Sequence, residues 1–229
     1  MRRVRTPPIR PLRTRGTGLI GSSMTTQASA MANHWWWRPG WQVGRRFYTW
    51  HLTFEEQPDV RRLVSAYRDA LLGLDGLDPI PDRWLHLTMQ GMGFVGEIDE
   101  RDVTSIVDAA RTRLAEVPAF DVRFRAPVVT PEAVETFAEP SEPVVAVRHA
   151  IRAAIGDVLP EVPESADGFK PHVSVAYSSS DGPATPVVEA IAAADVPPAT
   201  ARITSAELIV LHRDNRMYEW EPFARVPLG

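Results

Sequence analysis

Two short stretches of the sequence carry a histidine that is followed, two positions later, by a hydroxyl residue. In WLHLTMQ these residues are His86 and Thr88, and in KPHVSVAY they are His172 and Ser174. Side chains of a β-strand alternate between its two faces, so each histidine shares a face with its hydroxyl. Histidine can act as an acid or a base near neutral pH, and a hydroxyl can donate a hydrogen bond to a charged group. The spacing therefore predicts two strands equipped for proton transfer.

The other face of each strand is apolar, which predicts that both strands are half buried. The apolar residues alternate with the polar ones and are Leu85, Leu87, Met89, Val173, Val175 and Tyr177. Helical and strand patterns surround the two stretches in a repeated order. RRFYTWHLTF predicts a strand, helices are predicted to begin at Pro58, Asp99 and Ser141, and a short helix is predicted around residues 187–191. FDVRFRAPVV and EAVETFA predict a pair of short strands, and ARITSAELIVL and RMYEWEPFARV predict closing strands.

This order predicts a tandem duplication in an α+β fold. Each half reads as strand, helix, His-x-hydroxyl strand, helix and strand, although the halves share little sequence outside the motif. Two such units with facing antiparallel sheets would bring the motif strands together across a central cleft. We therefore predict a bilobal, duplicated α+β architecture in which residues 31–229 form a single domain.

The composition excludes several classes of function. The chain has 229 residues, 44% of them hydrophobic and 24% charged, and it contains no cysteine. The absence of cysteine excludes disulfides, thiolate nucleophiles and cysteine-bound metals, and it fits a reducing compartment. No apolar run approaches the ~20 residues that a membrane helix requires, and the start lacks the apolar region of a secretory signal. We expect a cytoplasmic, monomeric protein with no membrane partner.

The charge is unevenly distributed along the chain. Residues 1–54 contain nine arginines and no acidic residue, whereas the remainder has 16 basic and 29 acidic residues, a balance of −13. Residues 1–30 are rich in Arg, Thr, Pro, Ser and Gly and lack apolar periodicity, which predicts a disordered basic leader. Such a segment could serve as a transit peptide or an RNA-binding arm. It could also reflect a start assigned too early, because Met24 and Met31 both precede the aromatic stretch NHWWWRPGW.

The stretches LHLTMQGMGF and PHVSVAY resemble the paired His-x-Thr/Ser motifs of the two-histidine (2H) phosphoesterase superfamily, in particular its 2′-5′ RNA ligase and cyclic phosphodiesterase branch. The two histidines lie 86 positions apart, and the order of elements agrees from about residue 45 to the C-terminus. The resemblance implies a bilobal α+β protein that needs no metal and no other cofactor. It also implies that His86 and His172 are the catalytic acid and base and that Thr88 and Ser174 bind phosphate.

The chemistry expected of this family explains these residue types. Opening a 2′,3′-cyclic phosphate needs a base for the attacking hydroxyl or water and an acid for the departing ribose oxygen. Two hydroxyl donors could hold the non-bridging oxygens, as in an oxyanion hole. We therefore expect a phosphoesterase that acts on a nucleotide or RNA terminus bearing a 2′,3′-cyclic phosphate or a 2′-5′ linkage. The alternatives are 2′-5′ RNA ligation and a module that binds nucleotide or RNA ends without turnover.

Other residues could contact a substrate. WHLTF places a third His-x-hydroxyl pair, His51 and Thr53, on one strand face, where His51 could be structural, a wall of the cleft or a direct contact. Trp84, Phe94 and Tyr177 could stack on a base, although ligase members of the family often have arginine where Tyr177 stands. The stretch WWWRPGW reads as a cover for one lobe. No H-E-x-x-H, EF-hand or P-loop spacing occurs, so no metal or nucleoside triphosphate site is predicted.

Overall fold

The computed structural model describes residues 26–229, and every structural statement refers to this part of the chain. The predicted leader, residues 1–30, therefore lies mostly outside the described residues. Its last residues contact the folded body, because the Val129 N–H donates to Gln27 Oε1 at 2.7 Å and Ala30 pairs with Pro183.

Twelve strands and four helices form within residues 26–229. The strands are β1 (Ala30–Met31), β2 (Phe47–Thr53), β3 (Leu77–Pro79), β4 (His86–Phe94), β5 (Phe120–Phe124), β6 (Val128–Val129), β7 (Ala133–Phe137), β8 (His172–Ser178), β9 (Gly182–Pro183), β10 (Ala199–Ile203), β11 (Ser205–His212) and β12 (Glu219–Pro227). The helices are α1 (Pro58–Ala70), α2 (Glu100–Leu114), α3 (Glu142–Gly156) and α4 (Thr185–Ala193). This architecture is the predicted α+β class.

Two four-stranded antiparallel sheets carry the two motifs. The first sheet has the order β12-β11-β2-β4, and the second has the order β3-β8-β7-β6. The first motif strand, β4, is an edge strand, whereas the second, β8, lies inside its sheet. The two motif strands contact each other, so the edge of the first sheet meets the centre of the second. The facing arrangement expected from the sequence is present.

The two sheets do not correspond to the two halves of the chain. β11 and β12, from the C-terminal end, complete the sheet that contains β2 and β4, while β3, from the N-terminal half, joins β8. The helices are exchanged in the same way, since α1 contacts β8 and α3 contacts β4. Each motif strand is thus supported by a helix from the other half, and the buried apolar residues form one continuous cluster.

Three strand predictions need correction. ARITSAELIVL forms two strands, β10 and β11. The buried residues of β10 are odd-numbered up to Ile203, whereas the first buried residues of β11, Ala206 and Leu208, are even-numbered. Because side chains alternate along a strand, this change moves the buried face to the other side, and one regular strand cannot span both parts. FDVRFRAPVV is also two strands, since Pro127 lacks the N–H that a continuous ladder requires. Its second part, β6, pairs with β7 as expected, but β5 pairs with β10. The short β3 is a further strand, which no strand pattern in the sequence predicts.

The helices form where apolar periodicity predicts them. In α1, Pro58 occupies the first turn, and Val60, Leu63, Val64 and Tyr67 are buried, as their spacing predicts. The α2 helix is capped by Asp99, whose side chain accepts a hydrogen bond from the Arg101 N–H at 2.9 Å. A carboxylate at this position satisfies a free N–H and complements the helix dipole.

Local irregularities set the direction of the motif residues. Trp84 is not in the motif strand, because residues 82–84 form a 3-10 turn in which the Trp84 N–H donates to the Pro81 carbonyl at 2.9 Å, and β4 begins at His86. The pairing of β7 with β8 shifts by one residue between Val134 and Glu135, which leaves one extra residue in β8. Such a bulge changes the face of the following residues, so Tyr177 reaches the same cavity as Ser174.

Candidate active site

A cavity of about 450 Å³ lies between the two sheets, and both His-x-hydroxyl motifs line its wall. His86 and Thr88 reach it from β4, and His172 and Ser174 reach it from β8. His86 and Ser174 are buried, whereas Thr88 is exposed within the cavity and His172 is partly exposed. The structure therefore brings together two motifs that are far apart in the sequence.

Each motif histidine is held by the same kind of main-chain contact, a carbonyl oxygen two residues earlier in the chain. His86 Nδ1 lies 2.8 Å from the carbonyl oxygen of Trp84, and His172 Nδ1 lies 2.8 Å from the carbonyl oxygen of Lys170. A carbonyl can only accept a hydrogen bond, so Nδ1 must carry the proton in each ring. The remaining nitrogen, Nε2, is then free to take or give a proton at the cavity.

The electrostatic setting of His86 favours the neutral ring. The pKa of His86 is lowered to about 4, chiefly by burial; the hydrogen bond to the Trp84 carbonyl acts in the opposite direction, and the proximity of His172 adds to the lowering. A neutral imidazole whose Nδ1 carries the proton presents a lone pair on Nε2. His86 is therefore prepared to accept a proton.

The setting of His172 is different. Its side chain is 36% exposed, and its Nε2 lies 3.5 Å from Glu135 Oε1. Because Nδ1 already donates to Lys170, the contact with the carboxylate is attractive only when Nε2 also carries a proton. The carboxylate of Glu135 is thus placed to accompany a protonated His172.

The third sequence candidate, His51, is buried beneath His86. The two imidazole rings are stacked, with centroids 4.3 Å apart and planes at 9°. His51 is paired across the sheet with Thr88, and its Nε2 lies 3.4 Å from Thr88 Oγ1. Burial, with a smaller contribution from His86, lowers the pKa of His51 well below 6.5, so the ring is neutral at neutral pH.

The aromatic stretch near the N-terminus supplies a part of the wall that the sequence analysis missed. His34, Arg38 and Trp41 line the cavity, so this stretch is more than a cover for one lobe. His34 Nδ1 lies 3.1 Å from Glu132 Oε2, and Arg38 donates to the same carboxylate at 2.6 Å. The density of aromatic residues in NHWWWRPGW signalled a folded segment, but no motif connected it with the site.

An aromatic cluster forms the end of the cavity that lies next to the stretch NHWWWRPGW. The ring of His34 stacks on Tyr177, with centroids 4.3 Å apart, and its Nε2 lies 3.0 Å from the hydroxyl of Tyr218. The pKa of His34 is lowered to about 4, chiefly by burial and also by the charge of Arg38, while Glu132 acts in the opposite direction. Both Tyr177 and Tyr218 line the cavity. This end offers flat, largely neutral rings to a ligand.

Two further aromatic candidates lie behind the wall. Trp84 packs against Trp220, with ring centroids 4.7 Å apart, and does not line the cavity. Phe94, at the far end of β4, contacts Phe47 and Trp41, which do line it. Trp84 and Phe94 thus support wall residues, and Tyr177 is the member of the predicted aromatic group that reaches the cavity.

Three carboxylates and one guanidinium line the cavity. Glu132 pairs with Arg38, Glu135 faces His172, and Glu164 Oε2 accepts a hydrogen bond from the Gly91 N–H at 3.1 Å. Burial would raise the pKa of Glu132, but hydrogen bonds from Trp36 and Arg38 and the nearby positive charges outweigh it and lower this pKa. These three carboxylates outnumber Arg38 together with a protonated His172, so the lining of the cavity is net negative.

Within the described part of the chain, no group of three or more His, Asp or Glu residues is arranged to hold a metal ion. None of the helices among residues 26–229 is long and apolar enough to cross a membrane.

Comparison with known proteins identifies a matching family model and several solved structures of similar fold. A family model described as the 2′-5′ RNA ligase superfamily matches residues 54–215, which include both motifs but neither His51 nor the aromatic stretch. TT0787 of Thermus thermophilus is 20% identical, with a TM-score of 0.61 and coverage of 80% of this chain and 97% of that chain. No curated protein matches the chain.

Structures of Escherichia coli LigT are also similar. The apo form is 14% identical, with a TM-score of 0.58 and coverage of 81% of this chain and 98% of that chain. The complex with 3′-AMP is 16% identical, with a TM-score of 0.58 and coverage of 81% and 99%, respectively. At these identities the similarity shows the shared fold alone.

Proposed function

The chain belongs to the 2′-5′ RNA ligase superfamily, and on this premise we propose that it opens 2′,3′-cyclic phosphates by acid and base catalysis from His86 and His172. The observation that carries this proposal is the matched contact of the two rings. Each Nδ1 is 2.8 Å from a main-chain carbonyl, which leaves two Nε2 atoms as the proton-transfer groups of one cavity. The same site could cleave a 2′-5′ phosphodiester by the same route.

The difference between the two histidines supports one assignment of their roles, with His86 as the base and His172 as the acid. His86 is neutral at neutral pH, so its Nε2 takes a proton from the attacking water as the new oxygen–phosphorus bond forms. On the opposite side, the bond from phosphorus to a ribose oxygen breaks, and Nε2 of protonated His172 gives its proton to that oxygen. The product is a phosphomonoester with a free neighbouring hydroxyl. Exchange with solvent then removes the proton from His86 and returns one to His172.

Thr88 and Ser174 have an electrostatic role in this proposal. They reach the cavity from the two motif strands, two residues beyond each histidine. Hydroxyl donors in these positions can hold the non-bridging phosphate oxygens, on which negative charge increases in the transition state. Donors fixed on strands need little rearrangement during the reaction.

The charge of the cavity supports hydrolysis of a cyclic phosphate. A cyclic phosphate carries one negative charge, whereas the phosphomonoester product carries close to two near neutrality, since the second pKa of such a group is about 6. A lining with three carboxylates and one arginine repels the product more strongly than the substrate. Repulsion of this kind favours release of the product.

The size of the cavity and its aromatic end suit a ligand of about one nucleotide. LigT of Escherichia coli was solved in complex with 3′-AMP and with phosphate. We extend this ligand class to the present chain as part of the proposal, with a nucleotide or the end of an RNA as the substrate. The rings of Tyr177 and Tyr218 would lie near the base.

Turnover of the four 2′,3′-cyclic nucleotides tests this function. Phosphorus NMR of the products identifies ring opening and shows which phosphomonoester forms, and the His172→Ala variant is the control. We expect ring opening by the parent, insensitive to chelators, and a large loss in the variant. An RNA pair bearing a 2′,3′-cyclic phosphate and a 5′-hydroxyl should be hydrolysed; joining of the pair would favour ligation. Tight nucleotide binding without turnover would favour a binding module.

A further inference from the structure

His51 is a histidine of the cavity that the two-histidine mechanism does not use. It lies on β2, outside the residues that the family model matches, and its side chain is fully enclosed. It contacts both members of the first motif, since its ring stacks on His86 and its Nε2 lies 3.4 Å from Thr88 Oγ1. A buried polar ring in this position requires a physical reason, because burial without hydrogen bonds is costly.

The tautomer of His51 follows from its surroundings. Its Nδ1 is buried and has no hydrogen-bond partner among the described residues. If Nδ1 carried the proton, a buried N–H donor would be left without an acceptor, which is rare in folded proteins and costs more than an unused lone pair. If Nε2 carries the proton, the N–H can donate to Thr88 Oγ1. The ring is neutral at neutral pH, so one nitrogen carries the proton and Nε2–H is the favoured form.

This tautomer fixes the direction of the Thr88 hydroxyl. A hydroxyl has one hydrogen to donate and two lone pairs to accept with. When Thr88 Oγ1 accepts from His51, its own hydrogen is free to point into the cavity, where the phosphate of the substrate would lie. The opposite direction, with Thr88 donating to His51, would turn that hydrogen away from the substrate. At 3.4 Å the contact is long, and contacts of this kind commonly shorten when a ligand binds.

We propose that His51 is a positioning residue whose Nε2–H donates to Thr88 and thereby directs the Thr88 hydroxyl toward the phosphate. This role rests on the proposed function, because it assumes a phosphate near Thr88. The stacked ring also limits the tilt of His86, which keeps its Nε2 aligned with the attacking water. His51 exchanges no proton with the substrate, and its effect acts through its two neighbours.

A double-mutant cycle separates this role from a space-filling one. His51→Phe keeps a flat ring for the stack but removes the donor, and we expect kcat to fall about tenfold, less than the 10²- to 10³-fold typical for loss of a direct oxyanion donor. In a Thr88→Val background, which lacks the acceptor, His51→Phe should have little further effect. His51→Gln, which can place an amide N–H near Nε2, should recover most of the rate. An equal loss from His51→Phe in both backgrounds would overturn the proposal.

A second measurement does not depend on activity. Nitrogen-15 NMR of histidine-labelled parent protein reports the tautomer of each ring, and comparison with His51→Phe identifies the signals of His51. We expect Nε2 to carry the proton. A proton on Nδ1 would overturn the positioning role even in an active enzyme. If the parent opened no cyclic phosphate but showed the Nε2–H form, the proposed function would fail while the His51–Thr88 hydrogen bond would stand.

Discussion

His86 and His172 occupy equivalent positions, since each is the first residue of its motif strand and each Nδ1 lies 2.8 Å from the carbonyl oxygen two residues earlier. Their environments differ, because His86 is buried and His172 is partly exposed beside Glu135. The same main-chain contact thus holds two histidines whose electrostatic environments differ. This combination can give one base and one acid from the same residue type.

The first prediction concerns the lowered pKa of His86. If neutral His86 takes the proton, the acidic limb of kcat/KM should lie well below pH 6.5, toward the pKa of about 4 that burial gives this group in the free protein. The measurement is kcat/KM for a cyclic nucleotide from pH 4 to 9, and the limbs report the pair rather than single residues. An acidic limb near pH 6.5 would contradict the low pKa of His86 on which the assignment of the base rests.

The second prediction concerns stability in mild acid. Burial lowers the pKa values of His34, His51 and His86 below 6.5, so the unfolded chain binds more protons than the folded one just below this pH. Their contribution is therefore complete above pH 6.5 and is lost as the pH falls toward 4. Each group contributes a slope of up to about 1.4 kcal/mol per pH unit.

Urea unfolding between pH 7 and 5 measures this slope. The free energy of unfolding should decrease steadily with acidification, and His51→Phe should decrease less steeply than the parent. A free energy of unfolding that does not change over this range would contradict the assigned neutral histidines.

The third prediction concerns the hydroxyl donors. Thr88→Val and Ser174→Ala each remove one donor, and each should lower kcat by up to about 10²- to 10³-fold. Thr104→Val, which changes an exposed hydroxyl on α2, is the matched control and should retain the parental rate. Steady-state measurements of kcat and KM for each variant test this prediction. An effect on KM alone would mean that the hydroxyls bind the ground state without favouring the transition state.

The sequence predicted the motif pair, the fold class and the helices, because these depend on local patterns. His-x-hydroxyl spacing in two strands and the apolar spacing of α1 need no knowledge of distant contacts. The exchange of strands between the sheets was not predictable in this way. Pairing of β3 with β8, and of β11 with β2, depends on contacts between residues that are far apart along the chain.

The same reason explains which residues of the site were missed. Glu132, Glu135 and Glu164 reach the cavity from loops and a strand with no motif of their own, and His34 arrives through a segment fixed by Glu132. Tyr177 was placed on the apolar face because simple alternation ignores the bulge in β8. His51 was found by its spacing, but its stacking on His86 required the register of β2 with β4.

The fourth prediction concerns the size of the substrate. A chain that begins at residue 26 keeps the contacts of Gln27 and Ala30 with the folded body, and it carries 19 basic against 29 acidic residues. It should open small cyclic nucleotides at the full-length rate and bind long RNA weakly, because each neutralised phosphate of a single strand needs a cation and steepens the salt dependence by ~0.7 log units. Salt titration of RNA binding measures this. Submicromolar affinity with a slope of several phosphates would favour a longer RNA substrate.

The most direct test of the two-histidine account is the rate of ring opening of one 2′,3′-cyclic nucleotide by His86→Ala, His172→Ala and the double variant. His149→Ala, an exposed change on α3, is the control, and circular dichroism verifies the fold of each variant. Because acid and base act in one step, each single change should cost about 10²- to 10⁴-fold, and the double variant should be little slower than the slower single variant. A folded single variant with near-parental activity, or losses that multiply in the double variant, would contradict the account.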